Sequence, residues 1–166
     1  MENQTRTTNT PLTSVEYTEP DLTQAPAPTL ENTDGQLPIK NWKNVGRIIE
    51  LKLFDDTTIV TTGDNKLVFC IPASLDGAVL QDAQAFVSTV SSSGTPTVQL
   101  RNVTNSADML STVITIDINE KTSYTATTPR VIDPRYNVVH TGDIISVDVD
   151  VAGTGTMGLG VILELQ

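Results

Sequence analysis

The stretch Asp143-Ile144-Ile145-Ser146-Val147-Asp148-Val149-Asp150-Val151 decides the fold class. Ile145, Val147, Val149 and Val151 share one face of an extended chain, opposite Ser146, Asp148 and Asp150. Alternation at period two marks a half-buried strand, and β-branched residues fit its pleated surface. The face carrying Asp148 and Asp150 is expected in solvent. Gly153-Thr154-Gly155-Thr156 then turns the chain. Leu159, Val161, Leu163 and Leu165 resume the alternation, giving a final strand.

Working outward, the same pattern recurs. Thr97–Val103 places Val98, Leu100 and Asn102 on one face, and Thr112–Ile118 alternates as well. Arg47–Phe54 reads as a first strand and Thr57–Thr62 as a short second one. The apolar run Leu67-Val68-Phe69-Cys70-Ile71, ended by Pro72, predicts a strand from Lys66 to Ile71 buried on both faces. Cys70 inside it is expected to be a buried small hydrophobe. Ala78–Phe86 has helical propensity, yet Val79, Ala83, Ala85 and Val87 share a strand face, so 78–91 is read as strand. Turn signals fall at Asp55-Asp56, Gly63-Asp64-Asn65, Leu75-Asp76-Gly77, Asn105–Asp108, Asn119–Lys121 and Thr141–Asp143. Eight or nine strands, with turns roughly every ten residues, predict an all-β, antiparallel β-sandwich of jelly-roll type.

Residues 1–44 differ. Pro11, Pro20, Pro26, Pro28 and Pro38 all lie there, and apolar residues stand singly. Such a segment buries too little surface to offset its ordering entropy, so it is read as an extended arm preceding a domain over 45–166. Leu12, Val15, Tyr17, Leu22 and Leu30 are spaced as anchors for a partner. Trp42, the only tryptophan, either anchors the arm or joins the core.

Composition narrows the function. The net charge of −10 and the lack of a basic cluster disfavour nucleic acid and anionic membrane surfaces. No stretch approaches the roughly 20 apolar residues of a membrane span, and residues 1–20 hold no signal-type apolar run. A single cysteine excludes an intramolecular disulfide and a four-cysteine zinc site.

The remaining motifs carry little chemistry. Gly153-x-Gly155-x-x-Gly158 matches the dinucleotide fingerprint as a string, but a strand follows it where a helix is required. These glycines are expected to serve a tight turn and close packing. Asp143, Asp148 and Asp150 lack the spacing of a calcium-binding loop. Asp55-Asp56 and Asp76 with Asp82 have no acid/base context, and His140 is the only histidine, with no Gly-x-Ser-x-Gly elbow to serve. The sequon Asn102-Val103-Thr104 carries no weight without a secretory signal. No catalytic residue, cofactor or metal is expected, and the chain reads as non-enzymatic.

From about residue 62 onward the chain resembles a recurrent type of tailed-bacteriophage virion protein. The resemblance rests on Phe69-Cys70-Ile71-Pro72-x-x-Leu75-Asp76-Gly77 and on Arg101-Asn102-Val103-Thr104 with Asp108–Thr112. It rests also on Val131-Ile132-Asp133, on Thr141-Gly142-Asp143-x-Ile145-x-Val147-Asp148-Val149, and on Gly158–Val161. It implies a β-sandwich virion component, a head decoration or cement protein that stabilises the capsid by binding major capsid protein subunits. It further implies a homotrimer on a symmetry axis, made in the bacterial host cytoplasm and carried on the capsid surface. The alternative is a head or tail fibre module that binds receptors or carbohydrate. Tyr124 and Tyr136, in the loop-rich region, are then the aromatic platform.

Overall fold

A computed structural model describes residues 46–166. The arm over 1–44 and the candidate partner residues Leu12, Val15, Tyr17, Leu22, Leu30 and Trp42 lie outside the described residues. The described chain is all-β and antiparallel. Its strands are β1 (Arg47–Lys52), β2 (Gly63–Cys70), β3 (Leu80–Phe86), β4 (Thr97–Asn102), β5 (Ala107–Asp108), β6 (Leu110–Thr112), β7 (Ile114–Thr115), β8 (Val131–Ile132), β9 (Ile144–Val151) and β10 (Gly160–Leu165). Short 3-10 turns occupy Ala73–Leu75 and Ser123–Thr125. Among the described residues no helix is long and apolar enough to cross a membrane.

The strands form three sheets. One has the order β1-β10-β3; a larger one runs β2-β9-β4-β5, with β7 also on β4; β6 and β8 make a small ladder. The two most regularly alternating segments, β9 and β10, take the inner positions of the two larger sheets. A central strand has its backbone paired on both edges, and its apolar face packs into the shared core. Ile145, Val147 and Val149 of β9 and Val161, Leu163 and Leu165 of β10 are all buried. Val98 and Leu100 of β4 and Ala83 and Ala85 of β3 join them in one apolar cluster. Full burial of each large aliphatic side chain contributes about 1.5–3 kcal/mol. The expected turn glycines fit as well: Gly153, Gly155 and Gly158 have φ of 72°, 73° and 68°.

Several expectations are corrected. β2 starts at Gly63, and the expected turn at Gly63–Asn65 survives as an irregularity within it, with Asn65 at φ 53°. β2 is also an edge strand with one covered face. Val68 is therefore 50% exposed and Cys70 is exposed as well, where burial on both faces was expected. The outer face of β9 departs in the opposite sense. Ser146 and Asp148, expected in solvent, are buried, whereas Asp150 is exposed. Ser146 is flanked in register by Val68 and Arg101, and Asp148 accepts the backbone N–H of Asn65 at 2.7 Å. Val151, assigned to the apolar face, is 42% exposed at the strand end.

Thr57–Thr62 forms no strand, only a bridge between Ile59 and Met157. β1 stops at Lys52 because Leu53 and Phe54 both direct their N–H groups at Leu159 O, closing the ladder. The expected strand over 112–118 is split, because the chain changes partner from β8 to β4 around Val113. Of 78–91, read throughout as strand, only Leu80–Phe86 forms one, as β3; Val79 and Thr89 make isolated bridges and Val87–Ser91 is otherwise irregular.

Candidate functional site

An open cleft of about 490 Å³ lies where the β4–β5 turn faces the loop after β8. One wall is built by strand register: Arg101 on β4 stands opposite Asp108 on β5 and donates to its Oδ1 at 2.7 Å. Asn105 and Ser106 of the connecting turn complete that wall, with Ser106 at φ 53°.

The other wall is formed by Asp133, Arg135 and Tyr136, on either side of Pro134 in the chain. Asp133 is buried and its carboxylate accepts the backbone N–H of Arg135, two residues on, at 3.0 Å. This is the local turn that Asp favours before Pro. The same carboxylate takes a forked pair from the Arg135 side chain, Nε to Oδ1 at 3.0 Å and Nη2 to Oδ2 at 2.7 Å. The Arg135 guanidinium also lies 5.2 Å from the Tyr136 ring centroid. Hydrogen bonds from the Arg135 side chain and backbone hold the Asp133 carboxyl below its ordinary pKa. Asp133 thus stays ionised and fixes Arg135; it is not set up to transfer protons.

The cleft offers the forked Arg135–Asp133 pair, the single-contact Arg101–Asp108 pair, a polar rim and Tyr136, which is 44% exposed. That set can hydrogen-bond hydroxyls from several directions while a ring face takes an apolar one. Of the two tyrosines expected to form a platform, Tyr136 lines the cleft and Tyr124 does not. Tyr124 sits in the Ser123–Thr125 turn, 64% exposed. Sequence reasoning did not reach Arg101, Asp108, Asp133 and Arg135. Only Asp133-Pro134-Arg135 carried a local signal, the Asp-Pro turn.

Four other singled-out carboxylates are held in structural contacts. Asp56 pairs with Lys52 and Ser88, and Asp82 with Arg130. Asp76 accepts the Thr141 N–H at 2.9 Å. Asp143, buried, accepts from Asn102 Nδ2 at 2.8 Å and from the His140 backbone N–H at 3.0 Å. The His140 side chain is largely exposed, its Nδ1 3.9 Å from Asp143. Among the described residues, no three His, Cys, Asp or Glu side chains are grouped to hold a metal ion. Comparisons with protein-family models, with curated proteins and with solved structures return no match.

Proposed function

We propose that this protein is a non-enzymatic structural component of a tailed-phage virion, a decoration or cement protein that binds across major capsid subunits. The observation that carries the reading is the two larger sheets sharing one apolar core. Such a body reads as a β-sandwich of jelly-roll type, a rigid knob. The residue-level resemblance over the same region supports it, and the acidic charge keeps such a knob soluble. Residues 1–44 then supply the bridging arm, spreading contact over several subunits at an ordering cost. The test is co-sedimentation of the full chain with capsids of its phage. Removing residues 1–44 is expected to abolish binding while the far-UV circular dichroism of the β-rich domain persists. Undiminished binding after that removal defeats the arm mechanism.

The cleft at Tyr136 favours a second reading, a carbohydrate-binding fibre module. Here Tyr136→Ala abolishes binding on a glycan array and Tyr124→Ala leaves it unchanged. Equal loss from both variants, or no binding by the parent, removes this reading.

A further inference from the structure

On the carbohydrate reading of the cleft, we propose that its Arg101–Asp108 pair selects a neutral pyranose and that glycans carrying a carboxylate are rejected. The two ion pairs of the cleft differ in what they leave free. Asp133 is buried, and both of its carboxylate oxygens are engaged by Arg135, through the backbone N–H and the guanidinium fork. This pair is a clamp. It fixes Arg135 beside the Tyr136 ring, 5.2 Å from the centroid, and has little capacity left for a ligand. Asp108 differs. Among the described residues, the only hydrogen bond to its carboxylate is the one from Arg101 Nη1 to Oδ1, at 2.7 Å. The two side chains are 39% and 52% exposed. Oδ2 therefore keeps its lone pairs, and Arg101 keeps the N–H groups on Nη2 and Nε.

Register holds this acceptor and these donors side by side, because Arg101 of β4 and Asp108 of β5 are cross-strand partners on the cleft wall. A hydroxyl group is donor and acceptor at once. Two neighbouring hydroxyls match the pair, one donating to Asp108 Oδ2 and the other accepting from Arg101. The Asn105 side-chain amide on the same wall serves in either role. Tyr136 offers an aromatic surface to the apolar C–H face of the sugar. The volume of about 490 Å³ lies within the range of about 300–1,000 Å³ usual for small-ligand clefts. Charge argues against an acidic sugar. The two guanidinium groups and two carboxylates of the cleft cancel. A sugar carboxylate reaches the Arg135 fork only by displacing Asp133, which leaves a buried carboxylate unpaired. At Arg101 it meets Asp108, part of a wider negative field in which Asp150 feels Asp148, Asp64 and Asp108 together. The net charge of −10 has the same sign.

The test is a glycan array probed with the full chain, carrying neutral hexopyranosides beside uronate and sialylated glycans. Binding confined to the neutral set is expected. Asp108→Asn and Arg101→Gln are each expected to weaken it at least about tenfold, the loss of one charge-assisted hydrogen bond. Circular dichroism melts close to the parent's show that these exposed substitutions leave the fold intact. The parent's preference between the two sets decides the charge argument independently of any variant. Preference for the acidic set overturns the proposal. So does binding that Tyr136→Ala abolishes while Asp108→Asn and Arg101→Gln leave it unchanged; the carbohydrate reading then stands without this pair. No binding by the parent removes both.

Discussion

At the scale of single residues, two aspartates respond to pH in opposite senses. Asp150, exposed at the strand end, has its pKa raised, first by partial desolvation of its carboxyl and then by the charges of Asp148, Asp64 and Asp108. Its folded-state pKa therefore exceeds the unfolded value of about 3.9. The proton-linked stability is fully present below that unfolded value and is lost as pH rises through the raised one. Asp150→Asn is expected to melt higher than the parent at pH 7, with the advantage vanishing below about pH 3.9. Asp133 is depressed by its hydrogen bonds from Arg135. Its contribution is present above the unfolded value and is lost as pH falls through the depressed one. Asp133→Asn is expected to melt lower at pH 7 and to converge on the parent in strong acid. Thermal melts of both variants across pH check the signs; parallel shifts at every pH refute the assignment. Neither aspartate's environment was legible in sequence. Asp148, two residues from Asp150 and read as solvated, is buried and accepts the Asn65 backbone N–H from the irregular start of β2.

At the scale of elements, the turn between β9 and β10 ranks its glycines. Gly155 has φ 73° and open space around a Cβ, whereas at Gly158, φ 68°, a Cβ overlaps the Ser88 side chain and comes within 2.9 Å of Asp56 Cα. The left-handed backbone alone costs an L-residue about 1–2 kcal/mol. Gly155→Ala is expected to lose about that much, and Gly158→Ala distinctly more, in urea unfolding. Equal losses refute the close-packing role. The alternation of β9 and β10, the turn glycines and the strand character of β3 were all readable, because period and left-handed backbone are local properties. The exposure of Cys70 and Val68 was not. A continuous apolar run looks the same in an edge strand as in a central one, and only the pairing partners separate them. The split of 112–118 was hidden likewise, since alternation does not say when a chain changes sheets.

For the whole molecule, all-β class follows from the repeated alternation, but the cleft does not. Its walls come from the β4–β5 turn and the loop after β8, and nothing local announces that Arg101 and Tyr136 share a concavity. Long-range closure also sets folding speed. β1 pairs with β10 and β2 with β9, so partners stand far apart in sequence. Loop closure must precede such contacts, and refolding is expected in the millisecond-to-second range typical of non-local β topologies. Rapid-mixing far-UV dichroism reads it; a microsecond phase carrying the full amplitude contradicts the topology.

The placement of β9 and β10 has a consequence during synthesis. β9 and β10 follow every other described strand in the order of synthesis. Until residues 144–165 emerge, β1, β2 and β3 lack their ladder partners and β4 has only β5 and β7. The nascent chain therefore waits with its apolar faces open, and its protection at that stage falls to chaperones and to its own negative charge.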